Sequence, residues 1–245
     1  VESIDNRNYG IFPTLSKNGL ISHSKALGSD LDSGIWIETS ENVILRNSYV
    51  AGNVNGIEVS NSDDILIAHN EATDNTVGAA ILLLPDIFDD RPGANRIDLR
   101  DNWIHGNNKL NTARPGSILS FVPSGTGVLY LGVDNSTIAD NRVENNDFTG
   151  IAIADYCLTV MGTPYDCSID PDISLEFLAD QGANGNAVIN NVLENNGTNV
   201  DPNNPFKDAA ADLTLLWLGD GVPSCYAGNV FDTFFSTAVI LPPCP

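Results

Sequence analysis

Positive charge is scarce in this chain. Eleven Lys and Arg stand against 32 Asp and Glu, for a formal net charge of -21 and a pI near 4.1. A chain this acidic is repelled by nucleic acid and by anionic membrane surfaces, so neither is an expected partner. The acidity fits solubility or saline surroundings, and it also fits divalent-cation binding. Long apolar runs are missing too: none approaches the roughly 18 residues of a membrane span, so membrane insertion is not expected. There is no CxxC pair, and the three His lie far in sequence from the four Cys, which speaks against a zinc site. P-loop, dinucleotide-binding and nucleophile-elbow signatures are absent. No charged-apolar-small leader stands at the start, and we expect that one was removed or that further sequence precedes Val1.

What is abundant is Asn, Gly and alternating apolar residues, with 42% of the chain hydrophobic and 18% charged, which is not the composition of a disordered chain. The stretch from Ser33 to Gly78 says one thing twice. Gly34-Ile-Trp-Ile is answered by Gly56-Ile-Glu-Val, and Val43-Ile-Leu-Arg-Asn47 by Ile65-Leu-Ile-Ala-His-Asn70. Each half closes on a further Asn, Asn53 and Asn75. A period of about 22 residues built from short strands and Asn/Gly turns predicts a β-solenoid. Alternation puts Ile35, Ile37, Ile57 and Val59 inside, with Trp36, Glu38 and Glu58 outside.

About seven coils can be laid out in one domain over residues 1–245, with long loops after Leu84, Asn108 and Ala154 that could gather on one side. Val1 to Asn6 reads as the end of a coil, so an N-terminal cap is expected to be missing, leaving an open coil that could stack on a partner. Asn47, Asn70, Asn102, Asn141, Asn191 and Asn229 recur at a similar place in successive coils and predict an internal Asn ladder. The even Cys count, clustered in two late loops, predicts disulfides Cys157–Cys167 and Cys225–Cys244, the second pinning a tail over residues 222–245. Such bonds imply an oxidising, extracellular or periplasmic setting. Two sequons, at Asn135 and Asn196, would carry glycans only in a eukaryotic source.

On the phrases SGIWIETSENVILRNS, NGIEVSNSDDILIAHNEATDN, VPSGTGVLYL and the C-terminal GN…LPPC, the chain resembles the right-handed parallel β-helix repeat proteins of the pectin-lyase-like superfamily, and within it a secreted bacterial group. The resemblance implies an all-β, right-handed, single-stranded parallel β-helix. It also implies action on acidic polysaccharides, by hydrolases, lyases or epimerases, often with calcium. The superfamily's catalytic motifs do not carry over: Asp63-Asp64 and Asp89-Asp90 form DD pairs, but the NTD, GHG and RIK motifs of polygalacturonases are absent. Arg91-Pro92 and Arg114-Pro115 fall short of the pectate lyase arginine motif, and the alginate epimerase DPH-type motif is missing.

Candidate sites therefore rest on the outward residues. Glu38 and Glu58 lie adjacent or diagonal on neighbouring coils, at a separation suited to paired-carboxylate hydrolysis, with Trp36 beside them as a sugar-stacking platform. Asp86, Asp89 and Asp90 form an acidic loop whose carboxylates suit calcium, Asp86 could also serve as a catalytic acid, and Arg91 on the same loop is a candidate substrate contact. Asp30 and Asp32 could add ligands, and His105 faces outward as a further substrate contact. Each of these also fits a merely solvated surface. The expected function is binding of an extracellular polysaccharide, with cleavage or modification as its extension and calcium as an optional cofactor. The alternative is a non-catalytic structural or adhesive module of an extracellular assembly.

Overall fold

The structure is a computed structural model that describes residues 1–85, 93–219, 221–237 and 242–244. Among the described residues, strands fall into three parallel sheets of seven. One turn of the chain contributes a strand to each sheet and then returns one rung higher. The product is a right-handed parallel β-helix. Sheet B begins with Ile35–Glu38, Asn55–Ser60 and Val77–Leu82, continues through Thr126–Leu131, Thr149–Ala154 and Ala211–Leu216, and ends at Phe234–Ser236. Sheet C runs from Lys17–Ser22 to Cys225–Ala227, and sheet A from Glu2–Ile4 to Val192–Glu194. Beyond Ala211–Leu216 the chain adds two further short strands, Cys225–Ala227 and Phe234–Ser236.

The register explains the repeat. Ile35 pairs with Ile57, Ile57 with Ala79, Ala79 with Val128 and Val128 with Ile151, so identical inward positions stack into apolar columns. Ile35, Ile37, Val59 and Ile151 are wholly buried. Each such side chain contributes roughly 1.5–3 kcal/mol by leaving water.

The corner between sheets C and A is made by one left-handed residue per coil: His23, Asn47, His69, Asp101, Asp140 and Asn190 all have φ between 49° and 57°, and Gly228 closes the row. Asn, Asp and His are the non-glycine residues that tolerate this region best. The residue that follows turns inward and forms the ladder. Ser48, Asn70, Asn102 and Asn141 each present a side-chain oxygen to the backbone N–H of the preceding rung. Asn191 and Asn229 continue it. The ladder thus forms as expected with one correction. Asn47 occupies the left-handed corner, and Ser48 takes the inward rung. A second ladder, Asn53, Asn75, Asn107, Asn146 and Asn196, lines the corner between sheets A and B and ends on Asp212.

Both disulfides are formed, Cys157–Cys167 and Cys225–Cys244. The second holds the segment around Pro242 and Cys244 against Tyr226. The loop after Asn108 leads into the strand Thr126–Leu131 and the loop after Ala154 leaves the strand Thr149–Ala154, so they come from opposite strand ends and meet over the outer face of sheet B. There Tyr165 donates to the Gly116 carbonyl at 2.8 Å and packs edge-on against Phe121. Beneath them the outward row turns apolar (Leu131, Ala152, Ala154, Leu216), so the middle and late coils of this face are closed over. The acidic loop after Leu84 lies mostly outside the described residues.

Candidate functional site

The part of sheet B that escapes this cover lies at its first strand, Ile35–Glu38, whose outward residues are half-buried; the second, Asn55–Ser60, is buried throughout. Pairing sets Trp36 beside Glu58 and Glu38 beside Ser60, so the two carboxylates are diagonal. With strands about 4.8 Å apart and a rise of about 3.3 Å per residue, a diagonal of this kind spans about 8 Å. The preceding coil adds what the sequence reading missed. Ile11 bridges to Ile35 and Thr14 to Glu38, which places Phe12 alongside Trp36. Their rings stack at 4.5 Å with an interplanar angle of 24°. Tyr9 packs against both, at 4.7 Å from Phe12 and 4.9 Å from Trp36. Tyr9 and Phe12 are more than a third exposed, and Trp36 is half-buried. The signal was present in the repeat, since Gly10-Ile-Phe aligns with Gly34-Ile-Trp.

The polar groups around these rings are fixed. Trp36 Nε1 donates to Ser60 Oγ at 2.6 Å. Glu38 accepts from Thr14 Oγ1 at 2.9 Å and remains partly open to solvent. Glu58 points outward from the coil, as expected, but it is only 2% exposed. Its Oε2 accepts from Ser33 Oγ and, at 3.0 Å, from Asn55 Nδ2. Burial pushes its carboxyl up to about 7; the charges of Asp32 and Glu38 add to the rise, and the bonds from Ser33 and Asn55 oppose it. Asp32 is raised as well, again chiefly by burial, with its bonds from Ser33 and the Arg114 charge pulling the other way. The Tyr9 hydroxyl is raised by burial and by the fields of Asp32, Glu58 and Glu38. Arg114 arrives on the loop after Asn108, which is tied down by Lys109 Nζ donating to Asp30 Oδ1 at 2.9 Å.

Other expected site residues lie elsewhere. His105 projects from sheet A, away from Trp36; its ring stacks on Trp103 and lies 3.3 Å from Glu71. Asp30 is engaged by Lys109 rather than presented with the other acids. Asp86, Asp89, Asp90 and Arg91 fall outside the described residues. Among the described residues, no group of three or more His, Cys, Asp and Glu side chains is placed to hold a metal ion.

Residues 2–84 match the family model described as the right handed beta helix region. No curated protein matches the chain. Among solved structures, the fold is similar to a mutant of the periplasmic alginate epimerase AlgG, with 17% identity and a TM-score of 0.61 over 91% of this chain and 42% of that one. It is similar to the A-module of the mannuronan C-5 epimerase AlgE6 of Azotobacter vinelandii, with 13% identity and a TM-score of 0.63 over 100% of this chain and 57% of the other. It is also similar to the Dettilon tailspike protein, at 12% identity and a TM-score of 0.52 over 94% and 43%. The chain spans about half the length of these structures, and at such identities the likeness establishes the fold alone.

Proposed function

We propose that the protein binds an extracellular polysaccharide along the open early coils of sheet B, with Trp36 and Phe12 as the stacking platform and Glu38 as a hydrogen-bond acceptor at its edge. One observation carries this reading: three aromatic rings in mutual contact on an otherwise acidic surface, held by a stacked pair and an indole hydrogen bond. A fixed, partly exposed aromatic cluster ringed by carboxylates offers sugar rings an apolar face and their hydroxyls acceptors. The reading is supported by similarity in fold to the alginate epimerase and mannuronan C-5 epimerase structures. Two disulfides support an extracellular or periplasmic setting. Screening against a polysaccharide array, with Trp36→Ala and Phe12→Ala alongside, tests it. Retention of a glycan by the native chain and its loss in both variants is expected, and absence of any retained glycan favours a structural or adhesive module.

Cleavage is a second reading. It is favoured by Glu58, whose carboxyl is pushed up to about 7 diagonal to the more open Glu38. A carboxylic acid that keeps its proton near neutral pH beside an ionised partner is the pairing of acid-assisted glycoside hydrolysis. Glu58 is closed to solvent, so this reading requires bound polymer to displace its cover. Reducing-end release and unsaturated-product assays test it, with Glu38→Gln, whose amide oxygen still accepts a hydrogen bond, expected to abolish turnover while weakening binding far less. Calcium at Asp86, Asp89 and Asp90 is a separate proposal. Calorimetric titration of calcium into the native chain and into Asp89→Asn/Asp90→Asn tests it, and equal heats would reject it.

A further inference from the structure

A second feature lies on another side of the solenoid. At the corner between sheets C and A a shallow, open groove of about 640 Å³ runs along four coils. Two parallel rows form it: the left-handed corner residues His23, Asn47, His69 and Asp101, and the outward residues Lys25, Tyr49, Glu71 and Trp103 two positions later. The second row is strictly in register, with Lys25 paired to Tyr49, Tyr49 to Glu71 and Glu71 to Trp103. Tyr49 and Trp103 are therefore two rungs apart, about 10 Å, comparable to the length of two linked pyranose rings.

Trp103 is 41% exposed yet firmly held. One side of its ring stacks on His105, with centroids 3.9 Å apart and planes at 22°. Its Nε1 donates to Glu144 Oε1 at 2.8 Å. His105 is fixed in turn by contacts of 3.3 Å to Glu71 Oε1 and to Thr73 Oγ1, and Glu144 is engaged by Arg142 at 2.8 Å. An exposed indole locked by its own supporting contacts costs little ordering when a ligand stacks on it.

We infer that this corner groove is a binding site for a neutral, extended oligosaccharide lying along the solenoid axis, with Tyr49 and Trp103 stacking on sugar rings and Glu71, His69 and Asn47 meeting its hydroxyls. The lining decides for a neutral chain. Lys25 is already paired with Glu2 at 3.5 Å, and the lining adds the acidic Glu71 and Asp101, so a polyanion meets no excess of positive charge there, on a protein whose net charge of -21 repels it further. This site is independent of the Trp36 face, which lies on sheet B.

The test is an NMR and calorimetric titration of the intact chain with neutral β-1,4-linked hexasaccharides (gluco, manno and xylo), alongside oligomannuronate and oligogalacturonate. A neutral hexasaccharide is expected to shift the Trp103 indole resonance. Trp103→Ala and Tyr49→Ala are each expected to weaken that binding by at least about tenfold, whereas Trp103→Phe keeps most of it and the exposed control Asn203→Ala changes it less than about twofold. Should Trp103→Ala fail to fold, the native indole shift together with Tyr49→Ala still decides. The inference is overturned if no neutral hexasaccharide moves the Trp103 resonance, if affinity survives in Tyr49→Ala, or if the acidic oligomers bind this groove more tightly than the neutral ones. Loss of binding in Trp36→Ala alone would credit the sheet B face and overturn the corner site.

Discussion

Trp36 and Glu58 hold the same position on adjacent strands of sheet B, one rung apart, yet they live in different media. The indole shares the surface with Phe12 and Tyr9, whereas the carboxyl beside it is sealed at 2% exposure with Ser33 and Asn55 as its partners. A solenoid repeats positions but not surroundings, because what covers each rung is supplied by the neighbouring coil and the inserted loops. This pair therefore separates binding, which Trp36 offers directly, from proton chemistry, which Glu58 holds in reserve.

The burial of Glu58 makes stability depend on pH. Its carboxyl sits at about 7 in the folded chain against an ordinary 4.5. Between those values the folded state holds the proton that the unfolded state has released. The stabilisation is complete below about 4.5 and is lost as pH rises through about 7, to a limit on the order of 3 kcal/mol. Asp134, pushed up to about 6 chiefly by burial, acts with the same sign. Glu58→Gln removes the Glu58 part, and its amide can still accept from Ser33 and Asn55. Urea unfolding from pH 4 to 8 is expected to show the variant gaining on the native chain as pH rises. Parallel curves would refute the assignment.

Cutting the Asn ladder is costly. Asn102 Nδ2 reaches the carbonyls of Ile67 and Arg100 and the Oδ1 of Asn141, while its Oδ1 accepts from the backbone and side chain of Asn70. Asn102→Ala strands these buried partners, each worth about 1 kcal/mol or more. A loss of about 3–5 kcal/mol is expected in chemical unfolding, against less than about 0.5 kcal/mol for an exposed control such as Asn203→Ala. A loss below 1 kcal/mol would mean that the ladder is ornament.

The tail bond Cys225–Cys244 closes a segment of 19 residues. Chain entropy gives such a loop about 3 kcal/mol. Cys225→Ser/Cys244→Ser is expected to lower the melting temperature without altering glycan binding at the early coils. A loss of binding at a temperature where the variant is folded would tie the tail to the site.

The architecture was legible because the inward Ile and Val columns, the closing Asn residues and the Cys spacing are local patterns repeated at a fixed period. The ladder was misread only at Asn47, since two adjacent polar residues at a corner differ in φ rather than in chemistry. The Tyr9–Phe12–Trp36 cluster was written in the alignment of Gly10 with Gly34, but the first coil is irregular enough to hide it. The burial of Glu58 was not legible at all. It depends on long-range cover, and alternation reports only which way a side chain leaves the strand. For the same reason, His105 could be read as outward without revealing that it faces a different side from Trp36.

Removing the Trp36 indole tests the central claim most directly. The measurement is calorimetric titration of the native chain and of Trp36→Ala with whichever soluble polysaccharide the array retains, with circular dichroism melts to confirm that both are folded. Stacking on the sheet B platform predicts native binding, a loss of at least about tenfold in the variant, and melting temperatures within a few degrees of each other. Unchanged affinity in a folded Trp36→Ala chain would contradict it.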